Sequence, residues 1–509
     1  MQDWTGGYVT EIAYTNGFYR DLTPQYLRFA ALTCGVDLPG GIDQGRYCEL
    51  GCGQGITANL IASAYPAWDV VATDFNANQI LFARSLACAA RSDNIRFDDA
   101  SFESFRADRT TGEFDVIVAH GIWSWIDAAN REHILDFVRE RLRPGGLFYL
   151  SYNAQPGWAP VLPLRQLLVN YANSLRPKPL STRIRLALDF AARAQQAGAR
   201  IFVNNPMAGK QLARLRTMST AYLAHEFFNE NWAQFSFNEV AADMRRARLE
   251  YVGTAGLLDR LDVMNLTPAQ SELLAEFEDP IGRESMRDLF VDQRFRRDVF
   301  ARGPLRLAPR AAQSRLLAES FALTVAPDAI PMKLSAGLGE ITLKQEVYRP
   351  LATAFAAGPR RLDSLAQEPA LAGISTEQLI QAVTVLVGLD YLTPCLPAAG
   401  LDARHTRTTA YNAALAALAR DATEIGILAS PVLGSGVPAD RLSHLLLAAE
   451  SEGTEPAAAA WQTLRSEGRR LTREGKVLDS DDDNLAELAR IYGELHAGRF
   501  PIIRQLRLI

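Results

Sequence analysis

Residues 48–60 read CELGCGQGITANL, a short apolar strand that leads into a glycine-rich turn and then into a helix. Glycines alternate at Gly51, Gly53 and Gly55, and Glu49 stands two residues before the first of them. Such a turn lets the backbone approach a ligand closely, and the helix that follows offers free N–H groups. The stretch therefore predicts a nucleotide-like ligand at the end of a strand.

Strand and helix patterns alternate from Arg46 onwards. Apolar strands are predicted at RYCEL, DVVATD, NIRF, FDVIVAH and LFYLSYN, and helical patterns such as GITANLIASAY and ANREHILDFVRERL separate them. This alternation predicts a parallel sheet with helices on both faces and a ligand beyond the carboxyl ends of the strands. Asp74 ends the second strand, close to the separation of ~20 residues from the glycine turn at which an acid binds ribose hydroxyls.

The spacing of the glycines excludes two common phosphate sites. Ile56 stands where a G-x-G-x-x-G dinucleotide fingerprint needs its third glycine, and the chain has no G-x-x-x-x-G-K-[ST]. Glu49 would repel a pyrophosphate but suits a cationic amino group. An adenosine with an amino-acid tail and no phosphate fits better, which points to S-adenosylmethionine and its product S-adenosylhomocysteine.

These motifs resemble those of the class I S-adenosylmethionine-dependent methyltransferases. ELGCGQG is similar to their first motif, TDFN to their ribose-binding motif and FDDASF to the segment that brackets the adenine. In that last segment, Asp98 and Asp99 are equally well placed to be the acid near the adenine. The resemblance implies cofactor contacts from Tyr14, Glu49, Gly51, Cys52, Gly53, Gly55, Asp74, Phe75, Asn76, Asp99, Ala100, Ser101, Phe102, His120 and Gly121. Tyr14, Phe18 and Tyr19 lie in the leader that covers the cofactor in such folds, with core packing as the alternative role.

Four further stretches carry a narrower resemblance. HGIWSW at 120–125, SYNAQPGW at 151–158, YLAHEFFNE at 222–230 and ASPVLGSGVP at 429–438 resemble methyltransferases with a methyltransferase regulatory domain. That family includes rickettsial lysine methyltransferases that act on outer-membrane surface proteins. The resemblance spans nearly the whole chain and implies a protein-methylating enzyme.

The expected fold class is α/β: a Rossmann-like class I methyltransferase with a mostly parallel seven-stranded sheet, followed by largely helical domains. Residues 1–158 are expected to bind the cofactor, and residues 237–262 to complete the sheet. A helical insertion and regulatory middle domain is predicted at 159–325, a winged-helix-like domain at 326–400 and a helical carboxyl-terminal domain at 401–509. The arginine-rich stretch 286–300 is expected to form a solvated face, with binding of an acidic substrate as the alternative.

Methyl transfer needs an aligned nucleophile and a water-free site. A lysine must also arrive uncharged. The catalytic candidates follow the fourth and fifth strands. His120 is a proton acceptor with an ordinary pKa near neutrality, Trp123 and Trp125 are possible walls for an alkylammonium group, and Tyr152 and Asn153 face the same edge. The alternative for His120 is a bond to the backbone, and for the tryptophans it is packing at the sheet edge.

Composition limits the partners. The 509 residues carry a net charge of −5, which gives no reason to expect a nucleic-acid surface. Five cysteines without metal-type pairing predict no metal. No apolar run reaches the ~20 residues of a membrane span, and no secretory signal is visible, so the expected location is cytoplasmic.

Three functions stay open. The first is methylation of a protein side chain, with lysine Nε as the favoured acceptor. The second is O- or N-methylation of a glycan or small molecule, and the third is non-catalytic binding of S-adenosylmethionine by an interaction protein. The expected partner is a protein or surface-glycan substrate, and a homodimer is a further expectation.

Overall fold

The protein is described from a computed structural model that covers residues 7–8 and 17–509. A seven-stranded sheet forms its centre. Its strands are β1 Gly45–Leu50, β2 Trp68–Asp74, β3 Ile95–Asp99, β4 Phe114–Ala119, β5 Leu142–Asn153, β6 Glu250–Thr254 and β7 Phe295–Ala301. They lie in the order β3–β2–β1–β4–β5–β7–β6, and β7 alone is antiparallel to its neighbours in this sheet. The predicted α/β class and the mostly parallel seven-stranded sheet are confirmed.

Strand order reverses between β1 and β4, which are neighbours although β2 and β3 separate them in the chain. In open α/β sheets the ligand binds at this point, beyond the carboxyl ends of the strands. Val116 and Val118 of β4 are fully buried, as are their neighbours Ile117 and Ala119. Apolar side chains on both faces are required because helices cover the sheet on both sides.

Helices flank the sheet and continue to the carboxyl terminus. Around the first five strands they are α1 Pro24–Leu32, α2 Ile56–Ala64, α3 Ala77–Ala89, α4 Phe102–Ala107, α5 Ala128–Arg141 and α6 Gln155–Trp158. Between β5 and β7 they are α7 Leu162–Ser174, α8 Leu180–Gln196, α9 Arg200–Asn204, α10 Pro206–Leu215, α11 Thr220–Phe227, α12 Phe237–Arg246, α13 Asp262–Asn265, α14 Pro268–Ala275 and α15 Pro280–Val291. We call residues 162–227, which form α7 to α11, the helical cover; they enclose a small core of their own around Leu168 and Leu212.

The remaining chain adds nine helices in its described residues. They are α16 Pro309–Ala318, α17 Gln345–Phe355, α18 Leu362–Leu365, α19 Thr376–Gly388, α20 Leu401–Arg420, α21 Arg441–Ser451, α22 Pro456–Ser466, α23 Asp481–Gly498 and α24 Phe500–Gln505. Short antiparallel strands accompany them, pairing Val36–Asp37 with Leu305–Arg306, Ser320–Leu323 with Arg360–Arg361 and Leu392–Pro394, Lys333–Ala336 with Gly339–Thr342, Ile427–Ser430 with Ser435–Pro438, and Thr472–Arg473 with Lys476–Val477. None of the helices within the described part of the chain combines the length and apolar character that crossing a bilayer requires. The proposed domain boundaries stay predictions.

The expectation for the arginine-rich stretch 286–300 is wrong in part. Its second half forms β7, which lies between β5 and β6 and is largely buried. Arg296 is 4% exposed, with ion pairs to Asp288 at 2.5 Å and Asp298 at 2.8 Å. Because carboxylates surround the guanidinium, a charged residue is tolerated inside the sheet.

Helix α20 packs against α2 and α3 on the side of the helices that faces away from the sheet. The hydroxyl of Tyr411 donates to the carbonyl of Ile56 at 3.1 Å, directly behind the glycine turn. Gly436, in the hairpin after α20, lies so close to Phe18 that a Cβ there would come within 2.9 Å of its ring. Phe18 is therefore held by the carboxyl-terminal half of the chain.

Candidate active site

A cavity of about 530 Å³ opens at the carboxyl ends of β1, β2 and β4. The glycine turn and the ends of these strands form its floor, and residues of α10 and α11 in the helical cover line it from the other side. Tyr8 and Tyr19 also line it, so the leader contributes to the cavity, whereas Phe18 is not among the lining residues. Tyr14 lies outside the described residues.

The glycine turn brings backbone to the cavity wall without side chains. Gly51 has a φ of +70°, and a Cβ there would approach Ile122 to 2.5 Å. Gly55 has a φ of +66°, and a Cβ there would approach Ala83 to 2.7 Å. Both positions combine a left-handed backbone with close packing, so only glycine fits without a shift of the neighbours. Gly53 and Cys52 complete this wall of the cavity.

Glu49 is a buried acid with one carboxyl oxygen that has no donor among the described residues. It is 6% exposed, it lines the cavity, and its Oε2 has no hydrogen-bond partner among the described residues. Burial, and then the charge of Asp74, raises the pKa of Glu49 to about 8. A buried carboxyl of this kind is costly unless a cation or donor satisfies it. The arrangement fits the amino group of an amino-acid ligand.

Asp74 is held with its carboxylate at the cavity. One oxygen accepts the N–H of Gly53 and the other accepts the N–H of Asn76, both at 2.9 Å. Burial raises the pKa of Asp74 to about 6, although these two bonds oppose the shift. Since each carboxylate oxygen can accept a second donor, Asp74 fits a pair of ribose hydroxyls.

Asn76 itself caps α3 by accepting the N–H of Asn78, so it supports Asp74 and does not line the cavity. Phe75, Ala100, Ser101 and Phe102 do line it, where an adenine ring is expected. Neither acid before Ala100 reaches the cavity: Asp99 is exposed, and Asp98 pairs with Arg96 at 2.9 Å.

His120 and Gly121 line the cavity after β4, but His120 does not titrate near neutrality as expected. Burial lowers the pKa of His120 to about 4, so the ring is neutral at physiological pH. Its Nδ1 lies 2.9 Å from the hydroxyl of Tyr149 and 3.2 Å from that of Ser151. Each hydroxyl can donate to Nδ1 or accept from it, according to the tautomer of the neutral ring. The ring of Tyr19 packs on His120 at 4.0 Å between centroids.

Two of the catalytic candidates lie in the core instead of the cavity. Trp123 is fully buried in the apolar cluster between the sheet and α5, which matches the packing alternative. Tyr152 is 1% exposed and donates to Asp298 at 2.7 Å, so it belongs to the ionic group around Arg296. The roles predicted for them are therefore replaced by structural ones.

Trp125 and Asn153 do line the cavity. Asn153 is 3% exposed and its Nδ2 has no partner among the described residues, so the amide is available to a ligand. Residues that sequence reasoning missed there are Tyr8, Gln54, Gln79, Gln211, Arg214, Tyr222 and Phe295. The motif YLAHEFFNE marked Tyr222 only as part of a resemblance. Phe295 is placed by its register opposite Asn153, a pairing that local pattern does not reveal.

Comparisons with known proteins agree with this geometry. Residues 48–148 match the model of a methyltransferase domain, and residues 219–302 match that of a predicted methyltransferase regulatory domain. The regulatory match contains β6 and β7, so this segment completes the sheet. The chain is 38% identical over 503 residues to the uncharacterized protein sll1526 of Synechocystis sp., covering 99% of both proteins.

Solved structures show the same fold over the whole chain. PKMT2 from Rickettsia typhi in complex with AdoHcy has a TM-score of 0.71, with 16% identity and coverage of 97% of this chain and 99% of that one.

A second sequence relative is the protein RP789 of Rickettsia prowazekii, also uncharacterized, which is 27% identical over 300 residues, or 58% of this chain and 53% of the relative. The chain thus belongs to the class I S-adenosylmethionine-dependent methyltransferases that join a methyltransferase domain to a methyltransferase regulatory domain.

Proposed function

We propose that the enzyme transfers a methyl group from S-adenosylmethionine to the Nε of a lysine side chain in a protein. The observation that carries the cofactor assignment is the unpaired carboxyl of Glu49 beside a glycine wall and the oriented carboxylate of Asp74. Glu49 would hold the amino group, Asp74 the ribose, and the segment from Ala100 to Phe102 the adenine. The bound cofactor supplies a sulfonium methyl for in-line displacement.

The acceptor end of the cavity supports an amine. Trp125, Trp158 and Phe295 line it with apolar rings, which exclude water and favour the neutral form of a lysine. Arg214 and Arg294 line it as well, and their positive charges disfavour a protonated amine in the same space. The Nδ2 of Asn153 is a donor without a partner among the described residues, and its Oδ1 is the atom that would accept an N–H of that amine. Neutral His120, with its low pKa, is a poor acceptor for the proton of that amine.

The likeness to PKMT2 from Rickettsia typhi, whose structure holds AdoHcy, and the resemblance to rickettsial lysine methyltransferases support the same acceptor. Release of S-adenosylhomocysteine should be measured with a lysine-rich polypeptide, with the same polypeptide after its lysines are acetylated, and with a panel of glycans and small amines. We expect release with the unmodified polypeptide and mass shifts of one or more methyl groups on lysine. Equal release from the acetylated polypeptide, or release with glycans alone, would contradict lysine as the acceptor.

A further inference from the structure

The helical cover is strongly basic although the protein is acidic. Residues 162–227 contain ten arginines and lysines against two acids, a net charge of +8, whereas the whole chain carries −5. A basic wall over a cavity raises the local concentration of negatively charged ligands and steers them toward it. A net charge of +8 makes the helical cover attractive to an acidic partner, above all through those of its cations that reach the cavity.

Arg214 of α10 and Arg294, which precedes β7, are two cations that line the cavity. Neither forms an ion pair or a side-chain hydrogen bond within the described residues. Arg216, two residues after Arg214, pairs instead with Asp189 at 3.3 Å and does not line the cavity. A guanidinium that faces a cavity without a carboxylate partner is available to an anion on a ligand.

Arg294 is held in place by its surroundings. Its guanidinium lies 4.2 Å from the ring centroid of Trp158, and the side chain is half-buried. Burial, and then the positive charge of Arg214, lowers the pKa of Arg294, whereas Tyr222 and Asp292 oppose the shift. A carboxylate bound between the two guanidinium groups would offset the repulsion between their charges.

The position of the pair separates it from the cofactor. The N–H of Ala154 donates to the carbonyl of Arg294 at 3.0 Å, which places the pair beside Asn153 at the ends of β5 and β7. The residues assigned to the nucleoside lie elsewhere: Asp74 ends β2 and Phe102 follows β3. In the sheet, β1 and β4 separate these two strands from β5 and β7. The two arginines thus face the acceptor and not the sugar or the adenine.

We propose that Arg214 and Arg294 bind an acidic side chain next to the methylated residue, so that the acceptor is an acidic segment of a protein. This inference rests on the proposed lysine methylation for the identity of the acceptor, but the recognition of the acid is independent of turnover. Nucleic acid is the less favourable partner, because its phosphates require a series of contacts along an extended basic face and the chain as a whole is acidic.

The test uses the full chain saturated with S-adenosylhomocysteine and three fluorescein-labelled peptides, in which the residues on both sides of one lysine are Glu, Gln or Arg. Fluorescence anisotropy should give about tenfold tighter binding of the Glu peptide than of the Gln peptide, since ionic hydrogen bonds to a guanidinium are lost with Gln. In the double variant R214Q/R294Q the difference should fall below about twofold. R216Q is the matched control and should keep the preference. Added salt should weaken only the Glu peptide.

Four results would overturn the inference, and three of them concern the peptides: equal affinity for the Glu and Gln peptides, no binding of either, or displacement of the Glu peptide by single-stranded RNA at lower concentration than by free glutamate peptides. Loss of S-adenosylhomocysteine affinity in R214Q/R294Q to the same degree as peptide affinity would also overturn it, since the arginines would then hold the cofactor's own carboxylate. With S-adenosylmethionine in place of S-adenosylhomocysteine the same peptides report turnover, and selective binding of the Glu peptide without its methylation would then support the recognition of the acid and contradict lysine as the acceptor. Methylation of all three peptides to the same extent would support lysine as the acceptor and contradict the recognition of an acid.

Discussion

Replacement of Glu49 by glutamine keeps the shape of the side chain and removes its charge at the point where the cofactor's amino group is assigned. With a pKa of about 8, about nine-tenths of Glu49 is protonated at pH 7 in the free enzyme. Binding of an ammonium group favours the carboxylate, so the proton must leave. Its removal at pH 7 costs about 1.4 kcal/mol, and one pH unit lower about twice that.

The wild-type enzyme should therefore bind S-adenosylmethionine more tightly as the pH rises from 6 to 8, by up to tenfold per unit from Glu49. The α-amino group of the cofactor has a pKa of about 7.7–8.0, so it takes up a small fraction of a proton when it binds as an ammonium group. The net release at pH 7 is therefore about 0.8 proton. Glu49→Gln should abolish this release. At pH 8 it should cost about 1.5–3 kcal/mol of cofactor affinity, the range for a hydrogen bond to a charged group.

Titration calorimetry in two buffers with different ionisation enthalpies measures the proton release directly. Asp99→Asn is the control, because Asp99 is an exposed acid that does not line the cavity. It should leave both affinity and proton release unchanged. Identical release from wild type and Glu49→Gln would refute the reasoning, since another group would then be the source of the proton.

Three further predictions follow from the site. Asp74→Ala should weaken S-adenosylhomocysteine binding by about 2–3 kcal/mol in calorimetry while Asp99→Asn has no effect, because two ribose contacts are lost; equal effects would contradict the ribose assignment. Trp123→Ala should lower the free energy of unfolding by about 3–5 kcal/mol in urea without changing turnover per folded molecule, whereas Trp125→Ala, which removes a buried ring that lines the cavity, should lower both stability and turnover; a stable, inactive Trp123→Ala would return Trp123 to the site. Because the pKa of His120 is low, its ring stays neutral from pH 6 to 9, and the pH profile of kcat/KM should have the same inflections in His120→Asn as in wild type. An inflection near pH 6.5 that disappears in the variant would contradict the low pKa of His120.

The sequence predicts those parts of the fold that local pattern determines. The glycine turn, the acid at the end of β2 and the first five strands follow from residues that are neighbours in the chain. Strand β7 escapes such reasoning because its sequence, FRRDVFA, has two arginines where a buried strand should be apolar. The neutralising acid Asp288 comes from α15, and only the folded chain shows that it meets Arg296.

The site is predicted less completely than the sheet, for a related reason. Trp123 and Trp125 stand two residues apart in one motif, and a turn closed by the N–H of Trp125 and the carbonyl of Ile122 sends one to the core and the other to the cavity. The low pKa of His120 also depends on burial by distant residues. Arg214 comes to the cavity from the helical cover, whose docking over the sheet leaves no local signal.

The burial of helix α2 limits where the chain can be truncated. All nine of its residues, ITANLIASA, are buried and none is charged, because the sheet covers one side and α20 the other. A fragment that ended before residue 401 would expose this apolar side to water directly behind the glycine turn. Such fragments are expected to aggregate, and a nonsense mutation shortly before codon 401 should therefore abolish the enzyme as completely as an early one.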